Sequence, residues 1–380
     1  VTFKTLVALC CGIALAILAR STTEWNFDVI AYDGAARIWL NETPSSAHAH
    51  VYADLASAAP KDEARRITSL SEYRQAVTDS TEAFMVQLPM YTVKPLYVLL
   101  VAAAVKLGAN GVAAAHYVSA VAYGCLFLLV LLSLTRIVAF WPALGVSLVL
   151  LLTPPFLEAG RLSTPDALSS LVVFAGVYTL VFKSPRMGAA LLLLSIAVRP
   201  DNVILCLAVA SWWWWKDRSA NFRSAFFGGT ASLAVWLILN RLTGTYSWGL
   251  LFTHTYVRRL TDVAGLHSDV TWDTYLGALR QLVAGTNVLY PSVLALFVLV
   301  SAIGFVSARV LPKTGDENRT LALQLFVWAA LLVHLVAYPM LADRFFVGYY
   351  ASITVLTISA VVARYSAAEL PKMARPSAAA

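Results

Sequence analysis

Apolar residues run in long stretches along this chain, at about 3–19, 91–107, 111–133, 137–153, 164–182, 186–198, 201–215, 222–240, 288–308, 320–341 and 345–363. Most have the length, about 17–25 residues, at which a helix crosses the hydrocarbon of a bilayer. They do not alternate polar and apolar, as Val146-Ser-Leu-Val-Leu-Leu-Leu152 shows, so the spans are helices and not barrel strands. Two polar stretches interrupt them, 20–90 and 241–287. Within the first, Ala47–Ala58 and Leu70–Val77 carry the mixed charge of amphipathic helices lying at a membrane surface. The pattern predicts an all-α polytopic membrane protein with about ten transmembrane helices. It forms one transmembrane domain over 1–365, with extracytoplasmic loops at 20–90 and 241–287 and a cytoplasmic tail at 366–380. The first run is expected to be a retained anchor and not a cleaved signal, because the chain behind it is polytopic.

Composition agrees. The 380 residues are 59% hydrophobic and 13% charged, about half the charge of a soluble domain. The net charge of +7 is explained by topology and calls for no nucleic-acid partner. If all eleven runs cross and Lys4 is inside, Lys183, Arg186, Lys216, Arg218 and Arg223 fall outside, against the positive-inside bias. If 91–107 lies along or dips into the outer leaflet instead, these residues join Lys4, Arg136, Arg309, Lys313, Arg319, Arg364, Lys372 and Arg375 inside. Both termini are then cytoplasmic. The four cysteines, Cys10, Cys11, Cys125 and Cys206, all sit in apolar runs and imply no disulfide framework.

In this topology the charges nearest the spans collect on the outer side. They are Asp28, Asp33, Lys94, Glu158, Arg161, Asp166, Arg199, Asp201, Arg258, Arg259, Asp343 and Arg344. Charge beside hydrocarbon is costly and needs a reason. A carboxylate can accept the proton of an attacking hydroxyl, and arginines and a lysine can hold a phosphate. Transfer of a sugar from a lipid-linked phosphosugar uses these parts. Simpler roles compete: Asp33 beside Gly34 suits a turn, Asp166 suits a helix N-terminus, and Lys94 can snorkel. His48 and His50 have no further ligand near them in sequence.

Several segments resemble the GT-C membrane glycosyltransferases, in particular the branch of protein O-mannosyltransferases and aminoarabinose transferases. Asp28-Val-Ile-Ala-Tyr32-Asp-Gly-Ala-Ala-Arg37 resembles their acidic first-loop motif. Met90-Tyr-Thr-Val-Lys94-Pro95 resembles their Lys-Pro segment, Leu162-Ser-Thr-Pro-Asp166 their second acidic motif, and Asp343-Arg-Phe-Phe-Val-Gly-Tyr-Tyr their late Arg-aromatic element. The chain departs from the pattern at Val29 and Val93, where the branch often has acids. The resemblance implies a polyprenyl-phosphate sugar donor and a lipid, glycan or protein acceptor. It makes Asp28 and Asp166 the catalytic pair, with Tyr32, Asp33, Lys94, Glu158, Arg161, Arg199, Arg258 and Arg344 binding substrate. It implies a plasma (inner) membrane enzyme whose site faces the periplasm or exterior. No cofactor is certain, and a divalent metal ion is left open. Two other functions fit the same composition: a lipid or glycan flippase or transporter, and a non-catalytic scaffold of transferase ancestry.

Overall fold

A computed structural model describes residues 2–216, 218, 221–285, 290–310 and 315–373. Of the expected tail, residues 374–380 lie outside the described residues, as do Lys313 and Arg375 of the charge count. The chain is all-α; among the described residues no strand forms. Five helices are long and apolar enough to cross a membrane: Phe3–Ser21, Gly111–Leu134, Phe222–Thr243, Thr320–Ala337 and Asp343–Tyr365. Two pairs pass the same test but are bent, Thr81–Thr92 with Pro95–Lys106 by 118° and Phe140–Leu151 with Pro154–Arg161 by 69°. Counting each pair as one span gives seven. Asp166–Phe182, Pro185–Val198 and Pro291–Ser307 are shorter apolar helices. The protein is thus a multi-pass membrane protein.

Two apolar cores form. The larger joins the long helices through residues such as Phe127, Phe174, Leu205, Leu323 and Tyr350. The second belongs to the 20–90 region, where Asp28–Trp39, Pro44–Ala58, Lys61–Ser69, Glu72–Asp79 and Thr81–Gln87 close around Val29, Tyr32, Val51, Ile67 and Phe84. Helices of seven to nine residues are marginal alone, and packing against one another is what holds them. Local chemistry sets their ends. Thr43 caps Pro44–Ala58 by accepting from Ser46 N at 3.3 Å, with Pro44 in the first turn, where its missing N–H costs nothing.

The bent pair Thr81–Lys106 returns to the end of the bundle from which it starts. Gly111, just after it, donates its N–H to Asp54 at 2.6 Å, and His48, before it, reaches Val77 O at 3.3 Å. Tyr97 meanwhile reaches Ala115 O at 2.9 Å and Ser119 Oγ at 3.1 Å. Ser119 lies eight residues beyond Gly111, about 12 Å along that helix. The hairpin therefore carries Lys94, at its tip, down into the bundle. Pro95 dictates the break: the residue before a proline is pushed out of the helical region, and Lys94 has φ −109° and ψ 61°.

Candidate functional site

Antiparallel connections bring five turns to one end of the bundle. These turns are 22–27, the Lys94 tip, 162–165, 199–202 and the 3-10 turn Asp343–Phe346. A second pre-proline residue sits here. Arg199 precedes Pro200, is extended at φ −146° and ψ 116°, and ends the helix Pro185–Val198.

Arg199 and Arg344 grip the Asp166 carboxylate from two sides. Arg199 Nη1 bonds Oδ1, and Arg344 Nε bonds Oδ2 at 3.1 Å. Thr164 Oγ1 donates to Oδ2 at 2.7 Å. Arg344 goes on to Glu158 at 2.6 Å. Arg199 goes on to Asp201 at 2.9 Å, which His334 approaches at 3.5 Å. Phe345 packs against both guanidiniums, 4.0 Å from Arg199 and 5.3 Å from Arg344. Asp166 is 2% exposed and stands in the first turn of its helix, so it sits at a helix N-terminus and holds two arginines as well. Asp166, Glu158 and Asp201 are each neutralised by an arginine, as burial requires.

Asp28 and Lys94 differ from these groups. Asp28 accepts from Tyr91 Oη at 2.7 Å and from Asn26 Nδ2 at 3.1 Å. Asn26 is held in turn by Ser163 Oγ at 2.8 Å. Lys94 Nζ donates to Tyr32 Oη at 2.7 Å and lies against the Tyr32 and Tyr91 rings, 5.2 and 5.1 Å from their centres. The two rings meet edge to face at 5.0 Å. Neither charge has an opposite charge within ion-pair distance among the described residues. One carboxylate and one ammonium are thus kept close and unpaired, with two tyrosines between them. Asp28 opens onto a 910 Å³ cavity also lined by Tyr73, Tyr91, Arg66, Arg74, Arg259 and Arg344. His254, on its wall, accepts from Leu260 N through Nδ1 at 3.2 Å. Burial, then Arg259, pushes its pKa down to about 4, so it is neutral at physiological pH.

Three expected residues stand apart. Asp28 and Tyr32 are four residues apart and share a helix face, whereas Asp33 is five from Asp28 and points about 140° away. Asp33 is fully buried and bonds Arg37 at 2.9 Å. Arg37 also binds Glu42 at 2.9 Å and Asp54 at 2.7 Å. A side chain on Gly111 would strike the Asp33 carboxylate, which is why the chain needs glycine there. Arg161 pins the first turn by donating to Thr22 O at 2.5 Å. Arg258 braces its own loop through Asp269 at 2.7 Å, and its neighbour Arg259 faces the cavity instead. Arg66, Arg74 and Tyr73 were not legible as site residues, because in sequence they are ordinary charges and rings on short amphipathic helices. Asn26 and His334 carried no signal either.

Asp33 makes a pH prediction. Burial first, and then Asp54 and Glu42 against the opposing pull of Arg37, raises its pKa to about 7. A raised carboxylate binds a proton more tightly folded than unfolded. Its stabilising effect is therefore full below about pH 4 and is lost as pH rises to about 7. Melting temperature in detergent should fall between pH 5 and 7, as the free energy of unfolding drops by at most about 1.4 kcal/mol per pH unit. Asp33→Asn should flatten that slope, and an unchanged slope would show that Asp33 is ionised throughout.

No group of three His, Cys, Asp or Glu side chains among the described residues is arranged to hold a metal ion. The acids closest to one another are already taken by arginines, so the residues present do not fit a divalent site. Compared with known proteins, the chain matches no family model, no curated protein and no solved structure.

Proposed function

We propose that this protein is a glycosyltransferase of GT-C type that moves a sugar from a polyprenyl-phosphate donor to an acceptor at the extracytoplasmic surface. The observation that carries this reading is the unpaired couple Asp28 and Lys94, of which Asp28 lines a cavity rich in arginine. An acid already neutralised by arginine is a poor base. Asp28 and Asp343 are the acids of the cluster with no arginine partner among the described residues. Asp343 is fully buried and holds Tyr290 N and Tyr350 Oη, so Asp28, on the cavity wall, is the acid placed to take a proton. Lys94 is a cation with no acid partner to prevent its meeting an anion.

In the proposed reaction an acceptor hydroxyl attacks the anomeric carbon and loses its proton to Asp28. The bond from that carbon to the phosphate oxygen breaks, and polyprenyl phosphate leaves with the electron pair. Lys94 and Arg344 stabilise the charge that grows on it. Asp166 acts by holding Arg199 and Arg344 in place, which is a positioning role.

The topology that goes with this reading has ten crossings. They are the five long helices, the bent Phe140–Arg161, and Asp166–Phe182, Pro185–Val198, Val203–Lys216 and Pro291–Val310. Thr81–Lys106 is re-entrant. Its two arms bend by 118°, against 69° in Phe140–Arg161, and its ends lie beside the same helix, Pro44–Ala58. Both termini are cytoplasmic, in a plasma (inner) membrane.

The test is transfer of radiolabelled sugar from a panel of polyprenyl-phosphate donors into membrane acceptors by the purified protein in liposomes. Transfer from one donor class above protein-free liposomes is expected. Silence across the panel, with donor lipid moved between leaflets, would replace this reading with a flippase.

A further inference from the structure

At the opposite end of the bundle from the charged cluster lies a second cavity, of 610 Å³. Three helices build most of it with stretches of matching length, Pro185–Leu193, Cys206–Trp213 and Ser224–Ser232, and Leu180 of Asp166–Phe182 adds to the wall. Each stretch covers about 10–12 Å along its axis. Their directions agree on which end is open. Ser184, Arg186, Trp213 and Ser224 form the mouth, and Leu192, Cys206 and Ser232 the floor.

The deep part offers no free polar group. Cys206 Sγ donates to Leu192 O at 3.3 Å, and Ser232 Oγ to Gly228 O at 2.7 Å. Gly228 lines the slot, and a side chain added there would meet nothing within 4 Å. The mouth, in contrast, is basic. Arg186 lines it and forms no ion pair among the described residues, and Lys183 and Arg223 are exposed at the same level. An apolar slot about two turns deep, open at an interface and rimmed by unpaired cations, matches one half of an acyl chain with an anionic headgroup above it.

We propose that this slot binds an anionic glycerophospholipid of the leaflet remote from the charged cluster, with one acyl chain between the three helices and the phosphate at Arg186. The site is independent of the transferase reading. Purified full-length protein would be titrated with phosphatidylglycerol and with phosphatidylcholine and read by native mass spectrometry. One phosphatidylglycerol should be retained, preferred about fivefold or more, the worth of one arginine at an anionic headgroup. Gly228→Leu, which fills the slot, should abolish retention. Arg186→Gln should bring the two lipids level. Gly145→Leu, at another open, exposed glycine outside the slot, should behave as wild type. Equal retention of the two lipids by wild type would overturn the proposal, as would undiminished retention by Gly228→Leu. If Gly228→Leu does not fold, Arg186→Gln decides alone, and a preference surviving in it rejects the site.

Discussion

Replacing Asp166 with alanine is expected to destabilise the protein by about 3–5 kcal/mol, because it strips the shared partner from the buried Arg199 and the half-buried Arg344 at once. Arg199 and Arg344 would keep Asp201 and Glu158, so the fold does not lose every compensation. Yet both guanidiniums would face a hole with unsatisfied N–H groups. Asp166→Asn keeps the volume and an acceptor oxygen but removes the charge, and should fall between alanine and wild type. Thermal unfolding in detergent, with both variants alongside wild type, checks the order. Equal melting temperatures for all three would mean that the arginines are satisfied elsewhere. The same variants should lose transfer through displaced arginines, which separates Asp166 from a group that itself handles the proton: activity lost with Asp166→Ala should track lost stability.

This dependence was only partly legible in the sequence. The apolar runs gave the helices, because that pattern acts locally, but among the described residues only five to seven of them have the length that a bilayer sets for a span. The gathering of charges at one end followed from the positive-inside bias, and Asp28, Lys94, Asp166, Arg199 and Arg344 do meet there. What no local pattern encodes is who pairs with whom. Arg344 reaches Asp166 across 178 positions, and that choice depends on how the last helices pack against Asp166–Phe182. The separation of Asp33 from Asp28 was in principle readable from the helical rotation. A turn beside Gly34 looked equally good, however, and only the structure shows a continuous helix Asp28–Trp39. The second core escaped for a different reason. Its short helices each bury only a few residues, Ile67 alone in Lys61–Ser69 and Val77 alone in Glu72–Asp79, and so resemble surface helices in sequence. Their packing is what aims Arg66 and Arg74 into the cavity.

Asp28→Asn is expected to lower the transfer rate by about 10²–10⁴-fold, the usual worth of a positioned general base, while donor affinity stays within about threefold of wild type. Asparagine still accepts from Tyr91 and needs no new space, so the cavity keeps its shape and only the ability to take a proton is gone. Lys94→Met should do the opposite: it keeps the unbranched stem between the two tyrosine rings, one atom shorter, but removes the charge. Donor binding should then weaken by about tenfold or more, since a charged hydrogen bond contributes about 1.5–3 kcal/mol, and the rate at saturation should fall less than in Asp28→Asn. Rate and affinity measured separately for both variants, with melting temperatures as a control for folding, decide between the assigned roles. If Asp28→Asn lost affinity and kept its saturated rate, Asp28 would be a binding group for the sugar and the proton would have to leave by another route. The tyrosine pair makes the contrast sharp, because it holds the acid and the amine near enough to serve one substrate and apart enough that neither neutralises the other.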